Sequence, residues 1–281
     1  MGIDIHALQL LQYNKQKNSN LDKTLTLGRQ AVLVGPKLAK KWVGTDQGAW
    51  CEDLLKNHFN ATDVDSIDNS DYEDANIIYD YNNPIPNALK EQYHTVIDFG
   101  CSEHIFNVAQ AFQNTIDVCK VDGTILHILP AAGFCGHGFY QYSAEFFFSL
   151  YSKENGFEET EIFFSDLYDP QKWYAVTKPS KGERINIRTQ NETYIIVRTK
   201  KIAHKSIFIQ QSDYTYIWNK NKYKNVQPYK VGKITRVREL ISFSPLAVKL
   251  FMKFVALISL KDGSKILSKH KNLKKIEPPI V

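Results

Sequence analysis

The sequence predicts an α/β protein: an open, largely parallel sheet with helices on both faces, followed by a basic C-terminal extension. Three observations predict it. Residues 1–200 alternate short apolar runs with longer segments of helical composition, the pattern of a parallel sheet covered on both sides. Three of the runs lead into an aspartate (Asp68, Asp80 and Asp98), and polar groups at strand ends are where open α/β sheets bind ligands. The charge is also divided. Residues 1–200 carry 18 basic and 26 acidic side chains and residues 201–281 carry 17 and 4, so about −8 stands against about +13. Two parts are expected, 1–200 and 201–281.

The elements follow in order. Thr24–Leu27 reads as a first strand ending at Gly28-Arg29, and Asp46–His58 as a helix with Trp50, Leu54 and Leu55 on one side. Val64–Ile67 and Asn76–Tyr79 are short strands, and Asn83-Pro84-Ile85-Pro86 must be extended because proline disfavours helix at the residue before it. Thr95–Ile97 begins the most informative stretch, VIDFGCSEHIFN (Val96 to Asn107), an apolar run that breaks through Gly100 into Glu103-His104 and then a helix, Ile105–Val118. Gly123 punctuates that helix. Thr124–Leu129 is a β-rich run closed by Pro130, and Ala131–Gly138 a glycine-containing loop. Ser143 is a natural N-cap for a helix to about Lys153. Glu159–Phe164 and Thr193–Arg198 are closing, hairpin-like strands, with a polar loop from Asp166 to Gln190. In the extension, Ser244-Pro245 starts a strongly apolar helix over Leu246–Leu260, and the chain ends in a basic segment.

Bulk properties narrow the class. With 43% hydrophobic and 23% charged residues the composition is that of a globular protein. No long uncharged apolar stretch indicates a membrane span, and the first residues lack the basic and apolar regions of a signal peptide. Cys51, Cys101, Cys119 and Cys135 have no metal-ligand or redox spacing, so buried free thiols in a reducing cytoplasm are expected, and no metal site.

An acid after the second strand suits a ribose diol, since one carboxylate accepts from two neighbouring hydroxyls; an aspartate at a strand end equally often caps a turn. The order of motifs goes further. SIDNSDYEDANIIYDYNNPIP (Ser66 to Pro86), VIDFGCSEHIFN, and VDGTILHILPAAGFCGHGFYQYSAEFFF (Val121 to Phe148) together resemble a subgroup of class I S-adenosylmethionine-dependent methyltransferases, small domains associated with bacterial surface-glycan pathways. The resemblance covers roughly residues 24–165. It rests on Glu-His-hydrophobic-Phe-Asn and Gly-His-Gly-Phe-Tyr-Gln at this spacing. The sequence departs from the pattern at Tyr81, Cys101-Ser102 and Ala144, and only Gly28 stands where a glycine-rich first loop is usual.

The resemblance implies a Rossmann-like class I methyltransferase sheet, S-adenosylmethionine as cofactor, and roles residue by residue. Asp68 would hold the ribose, Asp80 or Asn82 the adenine edge, and Gly28 and Gly100 would let backbone approach the methionine moiety, with Asp98 in the same strand-end set. Glu103 and His104 would flank the transferred methyl or the acceptor, and His137 and Tyr140 would line the acceptor side. Methyl transfer is an in-line displacement that needs alignment and removal of the acceptor's proton, work suited to an imidazole. His137 is the favoured base and His104 the alternative. Each also has a structural reading: His104 beside a helix start, His137 as a loop-fixing ring, and Glu103 as favourable charge at a helix N-terminus.

The expected function is O-methylation of a sugar or sugar substituent in surface polysaccharide biosynthesis, with a small-molecule or glycan acceptor. Two alternatives stay open: a non-catalytic methyltransferase-like binding protein, and a nucleic-acid methyltransferase. The latter is motivated by lysines interleaved with Tyr214, Tyr216, Trp218, Tyr223 and Tyr229 and is the less favoured. The apolar C-terminal helix reads either as a membrane-surface contact or, more readily, as a buried contact such as a homodimer interface.

Overall fold

The computed structural model describes residues 2–17, 19–44, 48–179, 185, 187–209, 232–262, 265–266 and 271–281. The Tyr214–Lys230 stretch and Asp46 lie outside them. The chain divides into two compact units, Met1–Lys178 with Thr189–Ile209 and Lys274–Val281, and Pro179–Arg188 with Gln210–Leu273.

The first unit begins with β1 (Gly2–Ile3), α1 (Ile5–Gln16), β2 (Asp22–Leu27), β3 (Ala31–Val32), α2 (Pro36–Val43), α3 (Cys51–Phe59), β4 (Ala61–Asp68) and β5 (Ile77–Ile78). β6 (Tyr93–Phe99), a 3-10 turn over Ser102–His104, α4 (Val108–Val118), β7 (Cys119–Ala132), α5 (Ala144–Leu150), β8 (Phe157–Asp166) and β9 (Trp173–Val176) follow. β11 (Thr193–Lys201) and the edge strand β13 (Leu273–Ile276) complete its sheet. The sheet has nine strands in the order β13-β9-β8-β11-β7-β6-β2-β4-β5. β5, β4, β2, β6 and β7 run parallel, while β11 is antiparallel to both its neighbours, β7 and β8. This is the open, largely parallel α/β sheet expected from the sequence.

Strand alternation sorts the central strands between two faces. Ile97 and Phe99 of β6 and Leu126 and Ile128 of β7 join a core with Leu8 and Leu11 of α1, Leu54 and Leu55 of α3, Phe163 and Trp173. The opposite residues meet α4 and α5: His127 packs against Phe112, Phe147 and Tyr151. This division decides which strand-end residues can face a ligand.

Several boundaries differ from expectation. α1, which the sequence reading passed over, is buried over His6–Leu11 and at Asn14; its polar His6, Gln9 and Asn14 bond to Leu167 O, Pro170 O and Ser19 O. α3 starts at Cys51 and α4 at Val108. Gly123 ends no helix: it lies inside β7, where a Cβ would stand 2.7 Å from His94 O. β7 also runs through Pro130, beyond its last partner in β6 (Ile128), so the missing N–H breaks no bond on that side. The polar 166–190 segment contributes β9, anchored by the fully buried Trp173. Cys51 and Cys119 are buried free thiols pushed up to about 12 by burial, but Cys135 is exposed.

In the second unit, β10 (Ile187–Arg188) pairs in parallel with β12 (Lys265–Ile266). α6 (Lys233–Leu240) precedes α7 (Pro245–Asp262), which begins at the predicted serine-proline cap, with Ser244 Oγ accepting from Ala247 N. Among the described residues no helix is long and apolar enough to cross a membrane.

Candidate active site

The loops at the carboxyl ends of β2, β4, β6 and β7 gather most of the predicted residues. β6 ends at Phe99, and Gly100 turns the chain with a φ of +86°, a left-handed conformation that favours glycine. The chain then enters the turn carrying Glu103 and His104. Beneath that turn Asp98 is fully buried. Its Oδ1 accepts from Cys101 N (3.1 Å) and Ser102 N (3.2 Å), and its Oδ2 from Ser102 Oγ (2.7 Å) and His127 Nδ1 (2.9 Å). His127 Nε2 then accepts from Tyr151 Oη at 2.7 Å. Asp98, expected among the cofactor-binding strand ends, points to the α4 face with both oxygens engaged, and these bonds hold the Glu103 turn in place.

The loop after β7 is stapled onto this turn. Phe139 N donates to Glu103 O (2.7 Å) and Tyr140 Oη to Phe106 O (2.7 Å). Gly138, at φ +68°, passes so close that a Cβ would stand 2.8 Å from Glu103 O. Tyr140 thus ties its loop to the backbone of the Glu103 turn through its hydroxyl proton. The stapling brings His137 over Glu103: its Nε2 lies 3.5 Å from Glu103 Oε1, and His104 Nε2 lies 3.9 Å from the same oxygen. The two imidazoles meet edge to face at 4.7 Å.

These three side chains line a cavity of about 240 Å³ with Phe99, Gly100, Ile128 and Pro130 from the strand ends and Tyr194 from the start of β11. The far wall is Gly2, Asp4, Ala7 and Leu33, brought there by the parallel β1–β3 pair. Glu103 is 1% exposed, and its Oε2 has no hydrogen-bond partner. Burial, and then the charge of Asp98, pushes its carboxyl up to about 8. Burial, and then His137, lowers the His104 imidazole from its usual value, which favours its neutral form.

Of the cofactor-side residues only Gly100 lines that cavity; Gly28, Asp68, Asp80 and Asn82 lie outside its lining. Gly28 ends β2 at φ +70°, its N–H donating to Ile67 O (2.8 Å), which places it beside Asp68 at the end of β4. Asp68 is half-buried and accepts from Ser70 N (3.2 Å) through Oδ1 alone. Asp80 is spent within its turn. Oδ1 accepts from Asn82 N and Asn82 Nδ2, Oδ2 from Asn83 Nδ2, and these bonds hold its carboxyl below the usual range. Asn82 in turn bonds through Oδ1 to Asn107 N. Both shape the loop at the end of β5, with Asp80 Oδ2 accepting only from Asn83 Nδ2.

The sequence reading missed three residues of consequence. His127 is a lone polar group in an apolar strand, a signal that a buried partner must exist. Asn114, fully buried on α4, binds Tyr81 O, Asn83 O and Ile85 N and so fixes the 81–85 loop. Asp4 caps α1 through Ala7 N at the cavity wall; an aspartate just before an apolar run is the signal for that cap.

No family model matches the chain, and no curated protein is similar to it. Solved structures similar to it include an S-adenosylmethionine-dependent methyltransferase from Thermotoga maritima, at 13% identity over 70% of this chain and 91% of that one, with a TM-score of 0.41. Phosphoethanolamine N-methyltransferase 2 from Haemonchus contortus, in complex with S-adenosylhomocysteine, is 13% identical over 70% and 53%, with a TM-score of 0.41. The YcgJ protein from Bacillus subtilis is 11% identical over 70% and 99%, with a TM-score of 0.39. Identities and scores this low assign neither reaction nor substrate.

Proposed function

We propose that the protein is an enzyme that transfers a methyl group from S-adenosylmethionine to a hydroxyl of a sugar or sugar substituent in surface polysaccharide biosynthesis. The observation that carries this reading is the convergence of Glu103, His104 and His137 on one cavity at the carboxyl ends of β6 and β7, the edge at which open α/β sheets hold their ligands. Gly28, Asp68 and Gly100 lie at neighbouring strand ends, with Asp68 Oδ2 open to accept from a ribose hydroxyl. In the reaction the acceptor oxygen attacks the methyl carbon, the carbon–sulfur bond breaks, and the sulfonium becomes the thioether of S-adenosylhomocysteine. The acceptor's proton is lost at the Glu103–His104–His137 cluster. Incubation with methyl-labelled S-adenosylmethionine and nucleotide-sugar or extracted glycan pools tests the reading. Label should enter a carbohydrate fraction and fall by about 10²-fold or more in His104→Ala/His137→Ala. Label in nucleic acid or in no fraction counts against it.

A second observation bears on where the acceptor is met. In the second unit, Leu240, Phe243, Leu246, Leu250 and Phe254 are exposed among Lys233, Arg236, Arg238, Lys249 and Lys253. We propose that α6 and α7 lie on an anionic membrane surface, where lipid-carried glycans are found. Cosedimentation with vesicles containing anionic lipid, and none with neutral vesicles, is the expected result.

A further inference from the structure

We propose that Glu103, His104 and His137 bind a divalent first-row transition ion, with open coordination positions facing the cavity. The donor set is two imidazoles and one carboxylate, which suits zinc, iron(II), cobalt or manganese better than magnesium or calcium. One ligand atom from each residue lies within 4.8 Å of the other two. Bonds of about 2.0–2.2 Å to a shared ion put such atoms roughly 3–3.5 Å apart, so the widest pair needs to close by up to about 1.5–2 Å. The exposure of His104 and His137, 45% and 54%, leaves room for their side chains to make that adjustment.

Two further observations point to a ligand. Glu103 is 1% exposed, yet its Oε2 is unpartnered and the side chain borders the cavity; a buried carboxylate without a partner is costly, and a cation is one remedy. The support is also built before the ion arrives. Asp98 fixes the Glu103 turn through Ser102, and the Phe139–Glu103 and Tyr140–Phe106 bonds fix the His137 loop against it. A fold assembled only for packing has no need to place three donor groups around one point.

For the ion's role, though not for its binding, the proposal rests on the methyl-transfer reading. A three-ligand site with open positions coordinates the acceptor hydroxyl and lowers its pKa. The imidazoles then serve as ligands, and the proton lost at the cluster leaves to solvent water at the cavity mouth.

Full-length protein stripped with chelator and titrated with Co²⁺ tests this by visible absorption, with Zn²⁺ competition by calorimetry. One saturable site per chain is expected, displaced by Zn²⁺. Affinity should drop at least about tenfold in each of His104→Ala, His137→Ala and Glu103→Gln. Because Glu103 is buried, the double variant His104→Ala/His137→Ala is the control that does not disturb the core, and its thermal transition is recorded alongside. No saturable Co²⁺ signal, or an equal signal in the double variant, overturns the site. S-adenosylhomocysteine affinity is measured on the same samples. Its absence with Co²⁺ bound overturns the methyl-transfer reading and leaves the ion site standing, and its presence without Co²⁺ binding does the reverse.

Discussion

Glu103 concentrates the chemistry of the site in one side chain. Its folded pKa, about 8, lies above the 4.5 of an exposed glutamate. The folded state therefore holds the extra proton between those values, and stability is greatest below pH 4.5 for this group and declines as pH rises through 8. The loss has an upper bound of about 5 kcal/mol. Urea unfolding of chelated protein at pH 5.5 and pH 9 should show the decline, and Glu103→Gln should flatten it. Equal slopes in both proteins would contradict the burial described for this carboxyl. Asp98 behaves oppositely in design: it is buried but fully partnered, so Asp98→Ala strands His127 and Ser102 and should cost about 3–5 kcal/mol. A cost below 1 kcal/mol would mean that the network does not hold the turn.

At the scale of elements, the two loops over the cavity act as one piece. Gly138→Ala puts a Cβ against the Glu103 carbonyl in a left-handed conformation, so it should destabilise by about 1–3 kcal/mol and loosen the His137 loop, seen as faster amide exchange at Phe139. Lys201 is a second device of this kind. Its ammonium, 1% exposed, donates to Ile116 O (3.0 Å) and Cys119 O (2.6 Å) and closes the end of α4. Lys201→Met keeps the volume and loses the bonds, and should cost about 1–3 kcal/mol by urea unfolding.

Elements also show what a sequence makes legible. The strands read at Thr24–Leu27, Val64–Ile67, Thr95–Ile97, Thr124–Leu129, Glu159–Phe164 and Thr193–Arg198 all fall inside observed strands, because doubly covered strands are continuous apolar runs. α1 escaped because His6, Gln9 and Asn14 occupy buried positions and erase the polar face that marks a helix. β9 and β13 escaped because each is only four residues long, too short to show a clear alternation, and β13 is an edge strand defined by the neighbour it joins. In the site, Glu103, His104 and His137 were legible as a set, since loops at strand ends carry exposed chemistry. The hydrogen-bond partners of Asp80, Asn82, Asp98 and Tyr140 were not, because bonds made across turns and loops leave no local pattern in the sequence.

For the molecule as a whole, the sheet order puts the parallel strands' carboxyl ends on one edge, with β1, β3 and the start of α1 walling the cavity there. The central claim is that this edge holds S-adenosylmethionine, with the ribose on Asp68. Calorimetric titration of S-adenosylhomocysteine into the full chain and into Asp68→Ala tests it most directly. The account predicts one saturable site, weakened about 10- to 100-fold by the substitution, as expected for hydrogen bonds to a charged carboxylate. No binding, or the same affinity in both proteins, would contradict it.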